Sequence, residues 1–269
     1  MSVLAVSAIT PIVKAGDPLE PGNYRGIAVG TLLAKLYAVL VNKRVTDWAE
    51  GAGLRAAGQA GFRKDHRTAD QIFVLRTLIE SARARGAPLF TCFVDFKKAY
   101  DLVDRRLLWD KLARRGMPTA LLDAVKALYG DVPMCVRTHE GLTPLFQSSI
   151  GVKQGCPLSP TLFGLFLDDL EQWVMSADGV VLPALRGHRV PPLLYADDLL
   201  LVSVTAAGLQ AHLGVLERYC ERWGLTVDVE KTKVVVFPAS SRVAARPAPR
   251  LTYQGERLAI APSFRYLGV

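Results

Sequence analysis

Apolar residues along this chain follow two rhythms. Leu209, Leu213, Leu216, Cys220 and Trp223 are spaced four, three, four and three, one face of a helix, and Gly224 marks its end. Thr68-Ala69-Asp70-Gln71 reads as a capping box opening a helix with apolar Ile72, Leu75 and Ile79. Asp104 is placed to cap a helix that closes in Arg114-Arg115-Gly116, with cations in the last turn. Ser159-Pro160 puts a capping hydroxyl before a proline at the first helical position, ahead of Leu162, Phe163, Phe166, Leu170 and Trp173. Short unbroken apolar runs predict strands at Leu89–Val94, Met134–Thr138, Leu145–Ile150, Leu193–Ala196, Leu199–Val204, Lys233–Phe237 and Leu251–Tyr253. Helices and strands interleave without a strict strand–helix–strand rhythm, so the pattern predicts an α+β layer with helices on one sheet face.

Composition narrows the class. Half of the 269 residues are hydrophobic and 22% are charged, which suits a globular domain and excludes a disordered one. The net charge of +8 and a pI near 9.4 favour a polyanionic partner. Residues 1–88 hold 12 Lys/Arg against 7 Asp/Glu (+5) and the remainder 21 against 18 (+3), so the basic excess is concentrated early. No two of Cys92, Cys135, Cys156 and Cys220 lie within four residues, which excludes zinc-finger spacing. Cys92 and Cys220 read as reduced core packing. The longest uncharged run, Leu199 to Leu216, contains Gln210, His212 and two glycines. It reads as a strand followed by a helix, too polar to span a bilayer. Pro238 to Pro249, rich in Ala, Ser, Arg and Pro, reads as a solvent-facing connection.

The positions that break this pattern carry the candidate chemistry. Asp197 and Asp198 sit inside Leu193-Leu194-Tyr195-Ala196-Asp197-Asp198-Leu199-Leu200, and Asp95 ends the apolar run Leu89 to Val94. An unpaired buried charge costs several kcal/mol, and a divalent cation is a partner that suits carboxylates gathered at strand ends. Both aspartates reach one site only if they occupy a tight turn between two strands, because neighbours on a strand point to opposite faces. Aspartate is also a common turn residue, and Asp95 could cap a helix. Gly151-Val152-Lys153-Gln154-Gly155-Cys156-Pro157 is a Gly/Pro loop before a helix. It is either a rigid turn or a backbone that lets a ligand approach closely, with Gln154 as donor and acceptor. Lys14, Arg25, Arg63, Lys64 and Arg67 carry much of the early positive charge, as a triphosphate or a nucleic-acid backbone requires.

In order, these segments resemble the reverse transcriptase domain of non-LTR (LINE-type) retrotransposons. The resemblance is carried by Pro11 to Lys14, Asn23-Tyr24-Arg25-Gly26-Ile27, Gln59-Ala60-Gly61-Phe62-Arg63 with Thr68 to Ile72, and Phe93 to Arg105. It continues through Gly151 to Phe166, Leu194 to Leu199, Gly224 to Lys233 and Phe264-Arg265-Tyr266-Leu267-Gly268, nearly the whole chain. Gly26 stands where the family usually has proline, and Asp228 where asparagine is common. The resemblance implies a right-hand polymerase of α+β class, with an antiparallel palm sheet backed by helices. Fingers would occupy residues 1–88, and the palm with the remaining fingers elements residues 89–269. A departure from the family pattern is that no thumb, endonuclease or Cys/His knuckle is expected in this chain, as in a fragment of a larger polyprotein or a decayed copy.

Residue by residue, the resemblance implies that Asp95 and Asp197 bridge two Mg²⁺ ions (or Mn²⁺), with the Phe96 carbonyl as a further ligand and Asp198 assisting. Lys14 and Arg25 would hold the incoming triphosphate, and Gln154 with Gly155 would line the nascent-pair pocket. Tyr100 would crowd a ribose 2′-hydroxyl, Lys231 would protonate the departing pyrophosphate, and Leu267-Gly268 would form the primer grip. The implied partners are an RNA template, a DNA primer, dNTP and further domains of the same polyprotein, with no membrane and a nuclear location. A non-catalytic nucleic-acid-binding remnant and an RNA-templated RNA polymerase remain as alternatives. Tyr100 and Tyr195-Ala196-Asp197-Asp198 weigh against the latter.

Overall fold

A computed structural model describes residues 7–14, 16–130, 132–239 and 249–269. In chain order it contains β1 (Ser7–Val13), β2 (Tyr24–Val29), α1 (Leu32–Gly51), α2 (Thr68–Ala84), β3 (Leu89–Val94), α3 (Arg105–Arg114) and α4 (Thr119–Tyr129). These are followed by β4 (Pro133–Thr138), β5 (Gly141–Leu142), β6 (Phe146–Gln147), α5 (Ser159–Leu167), α6 (Leu170–Met175), β7 (Ala184–Leu185) and β8 (His188–Arg189). The remainder is β9 (Leu193–Tyr195), β10 (Asp198–Ser203), α7 (Ala206–Trp223), β11 (Lys233–Phe237), β12 (Thr252–Tyr253), β13 (Glu256–Arg257) and β14 (Ala259–Ile260). The class is α+β, and the chain divides into two compact units, residues 1–54 with 100–166 and residues 55–99 with 167–269.

The first unit is built on a sheet ordered β2-β1-β4-β5, with β6 also on β4. β1 and β2 pair antiparallel from Ala8↔Val29 to Val13↔Tyr24, whereas β1 and β4 run parallel. Among the described residues α1, α3, α4 and nearly all of α5 belong to this unit. α1 buries Ala38, Val41, Val45 and Ala49, and α4 buries Leu122, Val125 and Tyr129. Buried Arg105 ties the loop after β6 to α4. Its guanidinium donates to the carbonyls of Tyr129 (2.9 Å), Ile150 (3.1 Å), Gly151 (2.7 Å) and Ser148. Four carbonyls satisfy a buried cation that burial alone would penalise.

The second unit is a sheet ordered β14-β11-β3-β10-β9, antiparallel except for β11 with β14. β3 lies at its centre, paired from Leu199↔Val94 to Ser203↔Phe90 on one side and from Lys233↔Phe93 to Phe237↔Leu89 on the other. Leu75, Leu78 and Ala82 of α2 pack with Leu89, Phe93, Leu200, Val202 and Val235 on one sheet face. α7 packs against β3 and β10 from the opposite face, burying Leu209, Leu213, Leu216 and Cys220. Helices therefore cover both faces of this sheet, not one as expected. Burial on both faces is why Leu199 to Val202 is continuously apolar with no polar alternation. One deep ion pair, Arg55 Nε to Asp168 Oδ2 at 2.7 Å, lies within this unit with both side chains sealed from solvent.

Other differences have local causes. Of the strand expected over Leu145–Ile150, only Phe146–Gln147 pairs, because Ser148 and Ile150 give their carbonyls to Arg105. The capping box is shifted by one residue: Arg67 is the N-cap, and its N–H donates to Asp70 at 2.7 Å. Ser159 does not serve as the cap, because it is already helical and its hydroxyl bonds the Tyr129 hydroxyl at 2.7 Å. Asp104 caps α3 as expected, and Gly224 closes α7 in the left-handed conformation at φ 68°. α1 escapes a periodicity reading because Leu32, Leu33, Leu36 and Leu40 are apolar yet exposed, which blurs its buried stripe. Cys92, Cys135 and Cys220 are buried free thiols, and burial pushes Cys92 up to about 12. Of the connection expected over Pro238–Pro249, residues 240–248 lie outside the described residues. Among the described residues no helix is long and apolar enough to cross a membrane.

Candidate active site

Asp197 lies in a two-residue hairpin turn. β9 and β10 pair Asp198↔Tyr195, leaving Ala196 and Asp197 as the turn itself. Ala196 has φ 59° and Asp197 is not in the positive-φ region, the pattern of a type II′ turn whose first central position normally holds glycine. The register Leu199↔Val94 brings the start of β10 beside the end of β3, so Asp198 and Asp95 meet at the same sheet end. The predicted clustering of residue 95 with residues 197 and 198 thus follows from strand pairing within one unit.

Electrostatics agree with that placement. The Asp198 carboxyl is pushed up to about 6, by burial first and then by the charges of Asp197 and Asp95. Three carboxylates within mutual electrostatic reach disfavour full ionisation. Lys231 faces the same cluster, its Nζ 3.2 Å from Asp228 Oδ2 and 3.9 Å from Asp95 Oδ1. The hydrogen bond that Lys231 donates to Asp228 raises its ammonium, and Asp95 adds to that. Burial works to raise the Asp228 carboxyl, but Lys231 outweighs it and holds it below its ordinary value. Asp228 and Thr232 were not singled out from the sequence for this site. Asp228 N–H donates to the Asp95 carbonyl at 2.7 Å, and the Thr232 hydroxyl accepts from Asp95 N–H at 3.2 Å. A polar pair bracketing Lys231 was the signal available for them.

Among the described residues no group of three or more His, Cys, Asp or Glu side chains is placed to hold a metal ion by itself. The donor set nevertheless fits a hard divalent ion. Mg²⁺ takes one or two carboxylates and completes its shell with phosphate and water, and the Asp198 carboxyl, raised by burial first and by like charges second, is one whose ionised form a cation would favour. The Phe96↔Val227 bridge engages the carbonyls of Asp95 and Thr226, not that of Phe96.

Leu267 and Gly268 form a second two-residue turn in this unit, with φ 50° and 95° and reciprocal bonds between Tyr266 and Val269. Its base is aromatic. Phe264 stacks on Phe93 at 4.4 Å and Tyr266 tilts against Phe93 at 5.3 Å. Burial raises the Tyr266 hydroxyl, and the Asp198 charge adds to the shift, which puts this turn within electrostatic reach of the carboxylates.

The other expected substrate residues belong to the first unit. Arg25 pairs with Ile12 on the β1–β2 hairpin, and Lys14 follows two residues after Ile12, so strand alternation puts both exposed cations on one face. The Gln154 side-chain amide donates to Asp101 Oδ1 at 3.0 Å, and the Gln154 backbone carbonyl accepts from Ala28 N–H at 2.7 Å. Gly155, at φ 98°, leaves room for β2: a Cβ there would stand 3.0 Å from the Ala28 carbonyl oxygen. Tyr100 stacks on Phe163 at 4.7 Å, which fixes the plane of its ring.

A family model described as reverse transcriptase (RNA-dependent DNA polymerase) matches residues 12–269. The retrovirus-related Pol polyprotein of a type-1 R2 element from Popillia japonica is 28% identical over 96% of this chain and 36% of its own length. The R2 polyprotein of Nasonia vitripennis is 24% identical, over 96% of this chain and 25% of its own length. A probable RNA-directed DNA polymerase from transposon BS of Drosophila melanogaster is 30% identical over 84% of this chain and 25% of that protein. The chain thus spans about a quarter to a third of the curated relatives it matches. Telomerase from Candida tropicalis, solved with a fragment of telomeric RNA, superposes with a TM-score of 0.66 over 94% of this chain and 43% of that one. At 14% identity that likeness shows a shared polymerase fold.

Proposed function

Because the chain belongs to the reverse transcriptase (RNA-dependent DNA polymerase) family, with relatives among non-LTR retrotransposon polyproteins, we propose that it extends a DNA primer along an RNA template. The observation that carries this reading is the meeting of Asp95, Asp197 and Asp198 at one sheet end, with Lys231 facing them. In this reading residues 1–88 are fingers and residues 89–269 the palm with the remaining fingers elements, and the three aspartates lie in the second compact unit.

Asp95 and Asp197 hold the divalent ions, Mg²⁺ or Mn²⁺, with the Phe96 carbonyl as a further donor and Asp198 in support. Bound there, two such ions would supply activation of the primer 3′-hydroxyl and neutralisation of charge on the leaving pyrophosphate. Lys14 and Arg25 grip the dNTP triphosphate as paired cations. Gln154 and Gly155 shape the nucleotide pocket, and the fixed Tyr100 ring excludes a 2′-hydroxyl by contact. Lys231, kept protonated by Asp228 and Asp95, is poised to give its proton to the departing pyrophosphate. The Leu267-Gly268 turn steadies the primer end. RNA template, DNA primer and dNTP are thus the partners, together with further domains of a longer polyprotein. Copying into chromosomal DNA requires action in the nucleus.

The test is primer extension on a primed RNA with dNTP and Mg²⁺, using protein expressed with the sequence that flanks it in its reading frame. Asp197→Asn is expected to lower incorporation by roughly three orders of magnitude while RNA binding persists. Parent protein that incorporates no more than this variant, yet binds RNA in a salt-sensitive way, would identify a binding remnant instead.

A further inference from the structure

The segment Gln59-Ala60-Gly61-Phe62-Arg63, conspicuous in the sequence, has no role in the chemistry above. In the second unit it lies beside the turn that carries Asp197. Leu194 N–H donates to the Gly58 carbonyl at 2.9 Å and Ala60 N–H to the Leu194 carbonyl at 2.8 Å, so the segment runs parallel to β9 like an added edge strand. The Gln59 side chain is completely buried. Its Oε1 accepts from Gly61 N–H at 2.8 Å and from Ala196 N–H at 3.1 Å, and its Nε2 lies 3.4 Å from the Ala196 carbonyl. One side-chain amide therefore addresses both polar groups of the turn residue held at φ 59°.

The surroundings leave no slack. A Cβ on Gly61 would stand 2.1 Å from Ala196 N, and one on Gly58 would stand 2.0 Å from the Pro192 carbonyl oxygen. Buried Gln71 donates to the Gly58 carbonyl at 2.8 Å, and Arg63 reaches back to the carbonyls of Ala56 (2.8 Å) and Gln59 (3.1 Å). The backbones touch, and the amide supplies the bonds that a left-handed alanine would otherwise lack. A neutral amide does this beside three carboxylates without adding a fourth charge.

We infer that Gln59 is a positioning residue for nucleotidyl transfer: it clamps the Ala196 peptide in the left-handed conformation and thereby fixes the direction from which Asp197 presents its carboxylate to metal. This rests on the polymerase reading of the site. Outer groups that orient ligands commonly change metal affinity or activity by ten- to a hundredfold, and small misplacement of reacting groups has effects of similar size.

The experiment uses Gln59→Met, which fills similar space without the amide, alone and combined with Ala196→Gly. Mn²⁺ binding to the protein is read by electron paramagnetic resonance, alongside kcat, KM and Mg²⁺ dependence of primer extension. Gln59→Met is expected to weaken Mn²⁺ and lower kcat by about tenfold or more, with KM for primer–template unchanged. Ala196→Gly, which removes the steric objection to positive φ, is expected to restore part of both. A variant that only melts earlier, with parental Mn²⁺ affinity and parental kcat at a permissive temperature, would overturn the inference. Should Gln59→Met not fold, Gln59→Leu removes the amide with a smaller apolar side chain, and a parental kcat in it would overturn the inference equally. Parent protein that binds Mn²⁺ but incorporates nothing would count against the polymerase reading, and the Mn²⁺ affinities alone would then decide the role of Gln59.

Discussion

Two tight turns of the same unit solve one geometric problem in opposite ways. Leu267-Gly268 adopts positive φ at both central positions, with glycine at the more extreme one and its two backbone bonds formed within the turn. Ala196-Asp197 has no glycine, carries positive φ on alanine, and is braced from outside by Gln59 and by the backbone of Gly61. The positive φ falls on Ala196, next to the residue that presents the carboxylate, and without glycine there its conformation is enforced by neighbours. The comparison teaches that the first turn is encoded locally and the second by residues more than 130 positions away in sequence.

The comparison can be broken at the brace. Gly61→Ala puts a Cβ 2.1 Å from Ala196 N, backbone against backbone, and is expected to destabilise the protein by about 3 kcal/mol or more. Urea unfolding measures it, and a loss below about 1 kcal/mol would mean that the segment and the turn separate easily. A control lies away from both turns, in His212. Its ring is buried with no hydrogen bond of good geometry, and burial depresses it to about 4, with the Val181 carbonyl opposing the shift only partly. The unfolded chain, with an ordinary histidine near 6.5, binds a proton that the folded chain refuses between about 6.5 and 4. Stability intact above that window is therefore lost as pH falls through it, by up to about 3 kcal/mol. His212→Leu should flatten that loss in unfolding midpoints measured at pH 7 and pH 4.5.

The smallest effect is expected at the self-sufficient turn. Gly268→Ala meets no atom within 4 Å but must adopt φ 95°, so a loss of about 1–2 kcal/mol with metal binding unchanged is expected. Equal losses at Gly61 and Gly268 would erase the distinction between the turns.

Much of this was legible from the sequence. The unbroken apolar runs located β3, β9, β10 and β11, because strands covered on both faces have no polar alternation to hide them. α1 was not legible, because its exposed leucines blur the buried stripe even though Thr31 caps it, nor were β1 and β2, whose exposed ends mix apolar and polar residues without period. Asp95, Asp197 and Asp198 stood out as acids against apolar runs. Asp228 and Thr232 did not, because ordinary polar residues in a loop carry no mark of the backbone group they will meet.

Periodicity and acid placement by themselves determined which segments are strands and helices and which carboxylates are set against the core, because side-chain burial acts over a few neighbouring residues. Only tertiary structure decided that β3 lies between β10 and β11, that Lys231 faces Asp95, and that Gln59 grips Ala196. Those contacts depend on pairing register between distant segments, and a register shift of one residue would turn every side chain to the other face.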